Sequence, residues 1–118
     1  MKQIVLTDAS FGDFIRQHRF VVVHFWAAWN RYDVQMKELI ESQMPDDLSE
    51  EVAFVSFDTD PVEHAEIVRQ HRVLNVPFLA FYRDGSLVHA RIGLLAAERL
   101  VQYLRQLVDP SKPKLSSN

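Results

Sequence analysis

The sequence predicts an α/β fold: a central mixed β-sheet flanked by helices on both faces, in the order β-α-β-α-β-α-β-β-α. Three observations carry this. Phe20 to Trp26 is a run of β-branched and aromatic residues with little alternation, the pattern of a central strand covered on both faces. Phe78 to Arg83 and Leu87 to Arg91 flank Asp84-Gly85, a hairpin signal. Elsewhere apolar residues recur at helical spacing between the strands, and strands joined through helices stack into layers with helices on either side.

Taken in order, Gln3 to Leu6 reads as a short strand, and Ser10 as the cap of a helix whose Phe11, Phe14, Ile15 and His18 fall on one face. After Phe20 to Trp26, a helix from Tyr32 carries Met36, Leu39 and Ile40 and ends by Pro45. Asp46 to Glu51 reads as an acidic loop or short turn, a solvated connection without the fixed ligand spacing of a metal site. Val52 to Asp58 is the next strand. Asp60-Pro61-Val62-Glu63 then combines a capping residue, a proline in the first turn and a reciprocal Glu, predicting a helix to about His71. Beyond the hairpin, Ala97, Leu100, Val101, Leu104, Leu107 and Val108 form one apolar face of a final helix, ended by Pro110 and Pro113. Residues 1–108 are thus one domain and 109–118 a flexible C-terminal tail.

Composition narrows function. With 118 residues the chain can bury one core, and 47% hydrophobic residues argue against disorder. A net charge of −3 offers no polybasic footprint, so neither nucleic acid nor an anionic membrane is an expected partner. There is no cysteine, which excludes thiol catalysis, disulfides and thiolate metal sites. No extended apolar segment stands at the N-terminus, and His24 interrupts the longest apolar run, so the expected location is the cytoplasm. Neither internal repeats nor low-complexity segments are present.

The element order, together with local residues, resembles the thioredoxin fold. Val22-Val23-His24-Phe25-Trp26-Ala27-Ala28-Trp29 is similar to that family's second strand and the turn after it. Val76-Pro77-Phe78-Leu79 resembles the loop where the family carries a cis-proline, while Arg83-Asp84-Gly85 and Arg91-Ile92-Gly93 match its hairpin and the glycine beyond. The resemblance runs from about residue 3 to residue 108.

It also implies what has been lost. Aligning Trp29 with the family's Trp-Cys-Gly-Pro-Cys motif puts Asn30 and Asp33 where the two cysteines would stand, with Arg31 and Tyr32 between them. Thiol–disulfide exchange needs a thiolate attacking sulfur, which Asn and Asp cannot supply. The family's buried aspartate corresponds to His24, and its frequent companion lysine to Phe54. The substitution therefore reaches through the proton relay as well as the motif.

The residues that remain have structural readings. Asn30 is a good N-cap, and Asp33 falls where a capping-box carboxylate would sit. His24 is expected to be a buried histidine bonded to Asp33. The functional alternative makes His24, Asp33 and Tyr32 an acid–base or metal site. His64 and His71, seven apart, read as a solvated helix face, and Glu38, Glu41, Glu63 and Glu66 as surface carboxylates. No metal, cofactor or catalytic residue is expected.

The resemblance further implies a groove for an extended peptide, formed by Trp29, Tyr32, Val76, Pro77, Ile92 and Gly93, in which the residue before the proline pairs with the peptide backbone. Binding is separable from chemistry, so loss of thiols leaves the groove. The expectation is a redox-inactive, thioredoxin-like protein- or peptide-binding module. Thioredoxin-like domains with degenerate motifs occur as adaptors, among them those preceding monothiol glutaredoxin domains, which the strand His24-Phe25-Trp26 resembles. The alternatives are the His24/Asp33 enzyme or metal binder and a structural or dimerising unit.

Overall fold

A computed structural model describes residues 1–112. Five strands, β1 (Ile4–Val5), β2 (Phe20–Trp26), β3 (Ala53–Asp58), β4 (Phe78–Arg83) and β5 (Ser86–Ile92), form one sheet in the order β1-β3-β2-β4-β5. β1 and β2 run parallel to β3, whereas β4 is antiparallel to β2 and β5 to β4. The sheet is mixed, as expected.

Alternation along the central strands divides the core in two. Val22 and Phe54, with Leu79 and Phe81, face Met36 and Ile40 of α2 (Arg31–Gln43) and Leu100 and Leu104 of α5 (Ala97–Val108). Val23, Phe25, Val55 and Phe57 point the other way, onto Phe11 and Ile15 of α1 (Asp8–Gln17). β2 has a neighbouring strand on each side and helices above and below. Its run of buried residues, apolar except for His24, follows from that position.

The hairpin turn is built by Asp84 and Gly85, both with positive φ (52° and 82°), as a two-residue turn matched to strand twist requires. The Val76–Pro77 peptide bond is cis.

Several sequence expectations need correction. Asp46–Glu51 is a helix, α3, because Leu48 at 1% exposure anchors it to the core, a burial contributing about 1.5–3 kcal/mol. Asp46 and Asp47 in its first turn suit the helix dipole, and Asp47 Oδ2 accepts from Arg105 of α5 at 2.7 Å. Ser10 does not cap α1; Thr7 does, with the Thr7 N–H donating to Ser10 Oγ at 3.0 Å. The helix expected after Asp60 is a 3-10 turn, Val62–His64, followed by α4 (Ala65–Gln70), with Pro61 rather than Asp60 at the cap.

His64 is no solvated residue. It is 7% exposed, stacks on Phe57 at 4.2 Å between ring centroids, and its Nδ1 donates to the Asp58 carbonyl at 2.6 Å. His71 is half-buried at the end of α4; its Nδ1 donates to the Ile67 carbonyl at 2.8 Å and its Nε2 meets the Tyr82 hydroxyl. Burial pushes the His71 imidazole below its ordinary pKa against a weaker upward pull from the Ile67 carbonyl, and pushes the Tyr82 phenol up. Glu41 is also more engaged than a free surface carboxylate: Lys37 and the Gln3 N–H bond to it and hold its pKa down.

α5 ends at Val108, and residues 109–112 continue as a turn in which the Ser111 N–H donates to Asp109 Oδ1 at 3.0 Å. The remainder of the expected tail lies outside the described residues. Among the described residues no helix is long and apolar enough to cross a membrane.

Candidate functional site

The turn after β2 begins where Trp26 ends its pairing. Thr59 fastens that end, its N–H and hydroxyl both donating to the Trp26 carbonyl, at 2.9 and 3.1 Å. The chain reverses, with Asn30 N–H donating to the Ala27 carbonyl at 3.0 Å, and α2 starts at Arg31. Asn30 is the N-cap the sequence calls for: its Oδ1 accepts from the Tyr32 and Asp33 N–H groups at 2.9 and 3.2 Å.

Asp33 does something other than close a capping box. The Asn30 N–H is already taken by Ala27, and the Asp33 carboxylate turns inward. Its Oδ2 accepts from the Ala27 N–H at 3.0 Å, and its Oδ1 lies 2.8 Å from His24 Nε2. Oδ1 and His24 Nε2 share one hydrogen bond, while Oδ2 holds the backbone N–H. His24 and Asp33 are 1% and 0% exposed. The expected pair is therefore present, and it is closed to solvent.

The other imidazole nitrogen, Nδ1, is buried without a partner among the described residues. β-pairing sets Ser56 and Leu79 on either side of His24, on the sheet face covered by α2 and α5. Tyr32 is not part of this pair. It is 44% exposed, its hydroxyl accepts from Arg31 Nη2 at 3.1 Å, and the guanidinium lies 5.0 Å over its ring. Among the described residues no three His, Asp or Glu side chains gather as a metal site. The β3 residue beside His24 is Ser56, not Phe54 as the resemblance implied; Phe54 pairs with Val22 and is 3% exposed in the core.

The groove residues meet only in part. Trp29 and Val76 line a common hollow of about 340 Å³ together with Asn30, Thr59, Leu74 and Asn75. Trp29 is 73% exposed, and its Nε1–H donates to Asp60 Oδ1 at 3.2 Å. Gly93 N–H donates to the Pro77 carbonyl at 2.8 Å, which brings Ile92 and Gly93 beside the cis-proline although neither lines the hollow. The main-chain N–H and C=O of Val76 take no hydrogen bond among the described residues.

A profile described as Thioredoxin matches residues 2–106. The chain belongs to the thioredoxin family. It is 31% identical to a thioredoxin of Mycobacterium tuberculosis over 109 residues, 89% of each chain, and 30% identical to a thioredoxin-like protein of Synechocystis over 75% of this chain and 81% of that one. Among solved structures, a mutant thioredoxin from Halobacterium salinarum superposes with a TM-score of 0.79 at 19% identity, covering 92% of both chains. Mitochondrial thioredoxin 3 of Saccharomyces cerevisiae gives 0.76 at 24% identity over 88% of this chain and 94% of that one. These superpositions show the thioredoxin fold. Within the thioredoxin family this chain has no cysteine, so its redox turn has become a capped helix start over a buried histidine–carboxylate pair.

Leu74 and Asp60 join the site although the sequence marks neither for it. Leu74 is 85% exposed on the hollow's rim, a signal visible as an apolar residue in a loop, and Asp60 gives up its local cap to reach Trp29.

Proposed function

We propose that this chain is a redox-inactive thioredoxin-family module that binds an extended protein or peptide segment in the groove between Trp29 and the Val76–Pro77 loop. One observation carries the reading: Trp29 stands exposed over a hollow shared with Val76, whose main-chain donor and acceptor are unspent. An extended backbone placed there pairs with Val76 as an added strand would, while Trp29 and Leu74 supply apolar contact. Tyr32 and Ile92, 44% and 55% exposed, extend that surface. The reading includes a cytoplasmic location, which imaging of the tagged protein tests.

The enzyme alternative on His24 and Asp33 finds less support, since a pair 1% and 0% exposed offers no approach to a substrate. A dimerising role has one observation in its favour: β5 is an edge strand with Leu87 and Val88 exposed. Light scattering discriminates it.

Two assays test the proposal. Insulin reduction should stay at background, and measurable turnover would refute redox inactivity. Immobilised wild type should retain a partner that Trp29→Ala and Tyr32→Ala lose; retention by both variants would remove the groove from the account.

A further inference from the structure

At the opposite end of β4 from Pro77, the β4–β5 hairpin and the C-terminal half of α5 diverge around a hollow of about 430 Å³. Phe81, Tyr103 and Leu107 form its apolar wall, and Arg83, His89 and Gln106 supply its polar groups. Among the described residues no aspartate or glutamate lines it, although the chain carries 16 acidic against 13 basic residues.

Arg83 donates from Nε to the Leu107 carbonyl at 2.9 Å and from Nη2 to the Gln106 carbonyl at 3.4 Å. Among the described residues it forms no ion pair, and the carbonyl end of α5 is where its guanidinium bonds. Among the described residues the buried Gln106 Nε2 has no acceptor, a costly state for an amide. Its terminal torsion is soft, so the amide can turn toward an acceptor placed in the hollow. His89 stacks on Tyr103, with ring centroids 4.9 Å apart and planes 21° from parallel, which holds both rings at the hollow.

We propose that this hollow binds a small planar organic anion. A carboxylate on an apolar ring places its oxygens at Arg83 and Gln106 and its ring against the wall of Phe81 and Tyr103. The volume is within the range of small-molecule sites, about 300–1,000 Å³. The site is independent of the peptide groove.

The test titrates the full chain with 2-naphthoate, and with the neutral 2-naphthylmethanol and the cationic 2-naphthylmethylammonium as controls, followed by proton–nitrogen correlation spectra. Expected are saturable shifts at the Gln106 side-chain amide, Arg83 Nε–H, His89 and Leu107. Naphthoate should bind at least about tenfold tighter than the alcohol, with the amine weakest. Gln106→Leu should weaken naphthoate selectively. Absence of saturable shifts, shifts confined to other residues, or equal affinity for naphthoate and the alcohol would overturn the proposal, and the three-probe comparison on wild type decides it even if the variant does not fold.

Discussion

His24 Nε2 and Asp33 Oδ1 meet at 2.8 Å between β2 and α2, sealed from solvent on all sides. In this thioredoxin-family chain the imidazole comes from the strand and the carboxylate from the helix N-terminus. The carboxylate also holds the Ala27 N–H, so one side chain ties sheet, turn and helix together.

Removing that carboxylate leaves His24 and the Ala27 N–H buried without partners. At about 1–3 kcal/mol for each unsatisfied group, Asp33→Ala should destabilise the fold by roughly 2–6 kcal/mol. His24→Leu should cost less, because Asp33 keeps the Ala27 N–H and the helix dipole. A double-mutant cycle by urea denaturation should show coupling between the two positions; additive effects would contradict a direct pair.

Asn30 caps α2 through two N–H groups without reaching the core. Asn30→Ala should lower stability by about 1 kcal/mol, and Asn30→Gly by only a few tenths. Thermal or chemical denaturation reads the difference.

Trp29 is largely exposed, with one hydrogen bond to Asp60. Trp29→Ala should change stability by no more than about 0.5 kcal/mol while abolishing binding in the proposed groove. A large loss of stability would mean that the indole serves packing.

Burial holds His71 below its ordinary pKa, so the native state disfavours its protonation. The unfolded chain then binds more protons as pH falls. The contribution of a neutral His71 is fully present above the unfolded value of about 6.5 and is lost as pH drops through the folded one. Urea midpoints should decline over that window, and His71→Gln should flatten the slope. Below the ordinary carboxylate range Glu41 adds a second decline of the same sign, since its folded pKa is lowered by the Lys37 hydrogen bond first.

Much of the fold was legible because central strands advertise themselves. The run Phe20 to Trp26 is apolar except for His24 and lacks alternation since both its faces are covered, and Asp84-Gly85 supplies the positive φ of the β4–β5 turn. α3 was not legible: Leu48 is the single apolar residue among its six, and one buried anchor leaves no period to detect. Asp60 misled because its local capping pattern competes with an acceptor role for Trp29, 31 residues away. His64 looked solvated because a 3-10 turn, unlike a continuous helix, rolls its ring onto Phe57. Pairing of His24 with Asp33 followed from family resemblance, whereas the hollow behind Trp29 depends on loop placement that no spacing rule encodes.

The measurement closest to the central claim is a titration of the chain with a peptide selected on it from a random library, followed residue by residue in proton–nitrogen correlation spectra. The account predicts saturable shifts at the Trp29 indole, Val76, Ile92 and Gly93, lost in Trp29→Ala. Shifts elsewhere, or unchanged affinity in Trp29→Ala, would contradict it.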